Sequence, residues 1–172
     1  MKKMILFLTI FTLNSFALNF NEIPKSVKLS NKNGGQTDGT VWNSTMLKGK
    51  IHTLLYIDPD QRHDTTAILD AINGKKFDTK KHKLVAIINL ASTWMPNALI
   101  ETKLKSNQKD MPHMLYVFDK TKHLLKNWNL KDDSINVLIF DKNGKLIYQK
   151  SGNFNSAKIQ NILKMIEQNI NK

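Results

Sequence analysis

The stretch IHTLLYIDPDQRHDTTAILDAING, Ile51 to Gly74, decides how the rest of the chain reads. Its first seven residues are almost all apolar and β-prone, as a strand buried on both faces must be. A polar turn follows, Asp58-Pro59-Asp60-Gln61-Arg62-His63-Asp64. Then Ala67, Ile68, Ala71 and Ile72 recur on one face of a helix, which Asn73-Gly74 would end. Asp60 or Asp64 can supply the helix cap. A strand that feeds a helix through a short turn is the opening of a β-α-β unit, which calls for parallel pairing.

The sequence downstream repeats the arrangement. KLVAIINL (Lys83–Leu90) is a second buried strand, and Pro96 can open a helix reaching about Ser106. HMLYVFDK gives a third strand after Pro112, and LLKNWNL one short helical turn. INVLIFDKNGKLIYQKSG folds back on itself around Asp141-Lys142-Asn143-Gly144 as a hairpin. From Ser156 to about Asn169, Ile159, Ile162, Leu163, Ile166 and Ile170 form a helical stripe. Helices on the faces of one mixed sheet are the expected architecture.

The N-terminus has a different character. MKKMILFLTIFTLNSFA begins with Lys2 and Lys3, continues with an apolar run, and ends in Ser15-Phe16-Ala17, small residues at the positions a signal peptidase reads. A run of about ten residues is too short to span a bilayer core of ~30 Å. Residues 1–17 therefore read as an export signal directing the chain to the periplasm, and no transmembrane segment is expected in the mature chain. Residues 18–40, with Gly34-Gly35 and Gly39, read as an irregular lead-in holding one short strand near Ser26–Leu29. Residues 41–172 form the domain proper.

Composition limits the chemistry. The 172 residues include no cysteine, so neither disulfides nor thiol catalysis is available. The formal charge is +12, nearly all lysine, with Arg62 the sole arginine. The lysines are spread along the chain, which suits a solvated surface or weak attraction to anions. Export argues against nucleic acid as a partner. The five histidines show no metal-binding spacing, and Leu69 stands where a calcium loop starting at Asp58 would need its glutamate. Neither a nucleophile elbow nor a phosphate-binding glycine loop is present.

The phrases LKGKIHTLLYI, MPHMLYVFDK, LLKNWNL and INVLIFDKNGKLIYQKSG, in this order, resemble exported thioredoxin-like proteins. A closer resemblance rests on Trp42, Leu47-Lys48-Gly49-Lys50, Ile87-Ile88-Asn89, Leu104, Pro112, Val117 with Asp119, Trp128-Asn129-Leu130, Asp141-Lys142 with Gly144, and Lys150-Ser151-Gly152. On these residues the chain is similar to the YtfJ family of small exported bacterial proteins. The resemblance implies a thioredoxin-like three-layer α/β/α sandwich with a central mixed β-sheet. It implies no reaction, hence no catalytic residues and no cofactor.

Dithiol enzymes of this fold place two cysteines at the N-terminus of the helix after the first central strand, where free N–H groups and the helix dipole hold a thiolate. Here that position reads Gln61-Arg62-His63-Asp64. The proline that such enzymes set before the next strand of the site is replaced by Ser134-Ile135. The altered turn can serve as helix capping, as an anion or peptide-carboxylate site at a helix N-terminus, or as a metal site using the aspartates and His63. Trp94, in STWMPN, follows the second strand and belongs at the same sheet edge, where ligands of open α/β sheets bind; it can equally pack as a rim of the core. Asp58, Asp60, Arg62, His63 and Trp94 are thus the candidate ligand-binding residues, with no metal assigned. The expected function is a non-redox periplasmic binding or adaptor protein for a protein, peptide or small anionic ligand. The alternative is a cysteine-independent periplasmic enzyme, with metal assistance as one form.

Overall fold

A computed structural model describes residues 18–172; the expected export signal at 1–17 lies outside the described residues. Ile51–Ile57 is indeed a strand and lies in the middle of the sheet. It is β4 in a chain that runs β1 (Lys28–Leu29), β2 (Gly34–Gln36), β3 (Trp42–Asn43), β4, α1 (Arg62–Gly74), β5 (His82–Asn89), α2 (Asn97–Asp110), β6 (Met114–Asp119), α3 (His123–Trp128), β7 (Ile135–Phe140), β8 (Leu146–Ser151), α4 (Ser156–Ile170). The six-stranded sheet has the order β2-β6-β5-β4-β7-β8. β4, β5 and β6 are parallel, whereas β7 pairs antiparallel with both β4 and β8, and β2 antiparallel with β6. The mixed sheet of a thioredoxin-like fold is the result.

The unbroken apolar character of β4 follows from its position, because helices or the lead-in cover both faces. Ile51, Leu55 and Ile57 join a core with Ile68 and Ile72 of α1, Ile100 of α2 and the Ile159, Ile162, Leu163, Ile166 stripe of α4. Leu54 and Tyr56 turn to the opposite face and pack with Val27, Leu29, Trp42, Leu124 and Trp128. One face of the sheet is thus covered by three helices. The other is covered by short α3, the β1–β3 ribbon and the lead-in.

Two expectations about the lead-in and the first helix need correction. Gly34-Gly35, which reads as a loop, forms an edge strand of the main sheet. A Cβ at Gly34 would run into the Phe118 carbonyl, and its φ of 119° is one that side-chain-bearing residues avoid, so only glycine lets β2 approach β6. Asp60 also does not cap α1 as expected: the residue before the helix is Gln61, whose side chain makes no cap bond. Asp60 is used elsewhere. Helix α2 runs past Ser106 to Asp110, and Pro96 stands just before its first turn.

Candidate functional site

Because β4, β5 and β6 run in parallel, their C-terminal ends emerge along one margin of the sheet. Asp58 follows β4, Leu90 follows β5, and Asp119 ends β6. Antiparallel β7 brings the preceding loop, Lys131–Ser134, to the same margin. The turn where dithiol enzymes carry sulfur therefore sits at the sheet edge where open α/β sheets commonly bind ligands, with Arg62 and His63 opening α1 there.

Asp58 is only 3% exposed. Its Oδ1 accepts from the Asp60 amide at 2.9 Å, which fixes the turn. Burial raises its carboxyl pKa above the ordinary value, and the nearby charges of Asp60, Asp133 and Asp132 add to this, against the lowering effect of the Asp60 amide. Asp60 is exposed, and its Oδ1 accepts from Thr93 Oγ1 at 2.9 Å. That bond connects the turn after β4 to the loop after β5, so Asp60 and the loop of Trp94 share one site.

The loop after β5 is organised by Asn89, a buried polar residue at the end of an apolar strand. Its Oδ1 accepts from the Ala91 amide at 3.2 Å, and its Nδ2 donates to Ser92 Oγ. Ser92 Oγ reaches Asp132 Oδ1 at 3.5 Å, and Asp132 Oδ2 is paired with Lys122 Nζ at 2.6 Å. This pairing lowers the Asp132 pKa and raises that of Lys122, the shared hydrogen bond being the main cause in each case. Deeper in, the Tyr56 hydroxyl donates to Asp119 Oδ2 at 3.1 Å. The same carboxylate accepts from the His123 and Leu124 amides, both at 2.8 Å, and so caps α3. Burial, then the charge of Asp119, pushes the Tyr56 phenol well above its usual range; it remains a donor at neutral pH.

Trp94 does not pack as a core rim. Its side chain is 86% exposed, and Leu99, on the first turns of α2, is 62% exposed. Beside them an apolar groove of about 340 Å³ runs between α1 and α2, lined among others by Pro59, Leu69, Met95, Leu99, Ile100 and Tyr116. The margin thus combines a row of carboxylates with an apolar groove and an indole in solvent. Asn89, Ser92, Thr93, Lys122 and Asp132 were not legible as site residues. The one available signal is Asn89, a polar residue closing an otherwise apolar strand. Among the described residues no three His, Asp or Glu side chains form a group that could hold a metal ion.

Comparison with known proteins gives a consistent result. The sequence pattern of the family described as "Bacterial protein of unknown function (YtfJ_HI0045)" matches residues 22–169. The "Uncharacterized protein YtfJ" of Escherichia coli K12 is 23% identical over 129 residues, covering 73% of this chain and 70% of that one. An uncharacterized protein of Haemophilus influenzae is 24% identical over 179 aligned positions, covering 96% of this chain and 97% of its own. Among solved structures, a Chlorobium tepidum protein described as a thiol:disulfide interchange protein DsbE superposes with a TM-score of 0.68 at 16% identity, over 90% of this chain and 99% of that chain. At such identity the likeness establishes the fold alone. With no cysteine in the chain, thiol exchange is not part of it.

Proposed function

The chain belongs to the bacterial family YtfJ_HI0045, and from that premise we propose that it is an exported, non-redox binding or adaptor protein whose recognition edge is the margin holding Asp58, Asp60 and Trp94. One observation carries the reading: an indole 86% exposed, next in sequence to a residue of an apolar groove, on a loop tied down by the Thr93–Asp60 bond. A large aromatic held in water on a fastened loop beside an apolar groove is the kind of surface that partners cover. The exposed carboxylates of Asp60 and Asp133 at this margin select against a small anion here. They favour a protein or peptide that offers an apolar side chain with basic neighbours. The leader-like residues 1–17 support a periplasmic location.

The reading is tested by fractionating cells that express the full chain, then crosslinking and identifying what it carries. A defined partner captured by the wild type and by Trp94→Phe, but lost with Trp94→Ala, supports it. Cytoplasmic retention, or capture indifferent to Trp94→Ala, overturns it. The rival reading, a cysteine-independent enzyme, rests on Asp58, a buried carboxyl with a raised pKa at the ligand edge. It requires a turnover that Asp58→Asn abolishes while the fold is kept.

A further inference from the structure

The opposite margin of the sheet has the reverse electrostatics. The N-terminal ends of β4 and β5 lie side by side, with His52 and Lys83 as register partners. In a parallel pair such residues point to the same face, here the one covered by β3 and the loop after it. A cleft of about 280 Å³ opens there, lined by Lys48, Lys50, His52 and Lys83 together with Trp42 and apolar Met46, Leu47, Val85 and Leu115. Among the described residues none of the three lysines is ion-paired. Lys50 Nζ donates only to the Thr79 carbonyl, at 2.8 Å.

The cations are held together at a cost. Burial and the neighbouring Lys50 both lower the pKa of Lys83. His52 is pushed down to about 4, first by burial and further by Lys50 and Lys83. Its Nδ1 lies 3.0 Å from the Lys50 carbonyl, which can only accept, so the neutral ring carries its proton on Nδ1. Like charges gathered in a cleft without a counter-charge are unfavourable until an anion arrives.

A second observation comes from the indole that lines this cleft. Trp42 is fully buried, and among the described residues its Nε1–H has no hydrogen-bond partner. The other core tryptophan satisfies the same group: Trp128 Nε1 donates to the Lys25 carbonyl at 2.8 Å. A buried donor left without an acceptor is rare in native proteins, and an oxygen reaching this ring would satisfy it.

We infer that the cleft between Trp42, Lys48, Lys50 and Lys83 is a binding site for a small organic oxyanion, a carboxylate or phosphate monoester on an apolar body. The lysine ammonium groups hold the charge, the Trp42 ring walls the cleft with its N–H unsatisfied, and Met46, Val85 and Leu115 receive the apolar part. The volume sits at the lower end for ligand pockets, about 300 Å³, so the body is no larger than a single ring or short chain. This site is separate from the Trp94 margin and does not depend on it.

The test follows the tryptophan indole N–H resonances of the full chain by NMR, with Trp42 identified from a Trp42→Phe variant. Benzoate and phenyl phosphate are titrated at constant ionic strength, with benzyl alcohol and sodium chloride as controls. The expected result is a saturable shift of the Trp42 signal with at least one of the two anions, while Trp94 stays still, and roughly tenfold weaker binding in Lys83→Gln. The tighter of the two anions identifies the head group. Lys48→Gln, at an exposed position, weakens binding as well. No saturable shift, a shift that benzyl alcohol or chloride reproduces, or unchanged affinity in both lysine variants overturns the site.

Discussion

Thr93 Oγ1 donates to Asp60 Oδ1 at 2.9 Å, and this bond joins two loops that lie more than thirty positions apart in the chain. It places the turn that replaces a dithiol and the loop that carries Trp94 in one unit. Thr93→Val should cost at most ~1 kcal/mol, the value of one exposed hydrogen bond. It should accelerate amide exchange at residues 59–61 and 92–96. Exchange that is unchanged in both loops would show that the bond does not couple them.

The two kinds of tryptophan should behave oppositely. Trp94→Ala is expected to leave stability within about 0.5 kcal/mol, because an 86% exposed side chain gives up little on truncation. Trp128→Ala removes a ring buried to 1% exposure and packed 5.8 Å from the Phe140 ring. It should cost ~3–5 kcal/mol. Urea midpoints of the two variants decide the matter, and similar losses would contradict the placement of Trp94.

Tyr56→Phe tests the buried polar pair. The phenol donates to Asp119, which is fully buried and caps α3. Losing a hydrogen bond to a charged group should cost ~1.5–3 kcal/mol. Asp119→Ala should cost more, since the α3 cap is lost as well, with helical content reduced at His123–Trp128. A Tyr56→Phe protein as stable as the wild type would mean that the carboxylate is satisfied without the phenol.

Stability should fall on mild acidification. His52 and His82 are both pushed down to about 4, by burial first, against 6.5 in the unfolded chain. The unfolded state therefore binds more protons between these values. The stability both rings contribute is complete above pH 6.5 and is lost as pH falls towards 4, by ~3 kcal/mol or less per ring. Lys50 and Lys83 strengthen the effect at His52. Raised Asp58 opposes it at the acid end. Denaturation midpoints at pH 7, 5.5 and 4.5 measure this, and His82→Gln, which can still hydrogen-bond Thr53 Oγ1, should flatten the slope. A midpoint constant across this range would mean that both rings protonate freely in the native state.

Gly34 and Gly74 form a matched pair. Gly34→Ala should weaken the β2–β6 pairing by more than ~1 kcal/mol, since both its φ and the Phe118 carbonyl exclude a Cβ. Gly74 lies in α1 with open space around it, so Gly74→Ala should stabilise by roughly 0.5–1 kcal/mol. Thermal melts of both separate these signs.

Much of the fold was legible because it depends on local pattern. Ile51–Ile57 reads as a central strand from composition alone, and the α4 stripe and the 135–152 hairpin are set by period and turn chemistry. The exclusion of thiol chemistry needs only the count of cysteines. Gly34-Gly35 reads as loop because a glycine pair signals a turn equally well, and only the approach to Phe118 distinguishes the two.

What the amino-acid sequence by itself determined is the order and type of the main elements and the loss of sulfur from the site position. Both follow from side-chain period and residue identity, which neighbours in space do not alter. The tertiary structure alone decided that Asp60 bonds to Thr93 rather than capping α1, that Trp94 stands in water, and that His52 lies beside Lys83. Those outcomes depend on the register of parallel strands and on which backbone donors remain unpaired after the loops have packed. Both are properties of residues brought together from distant parts of the chain.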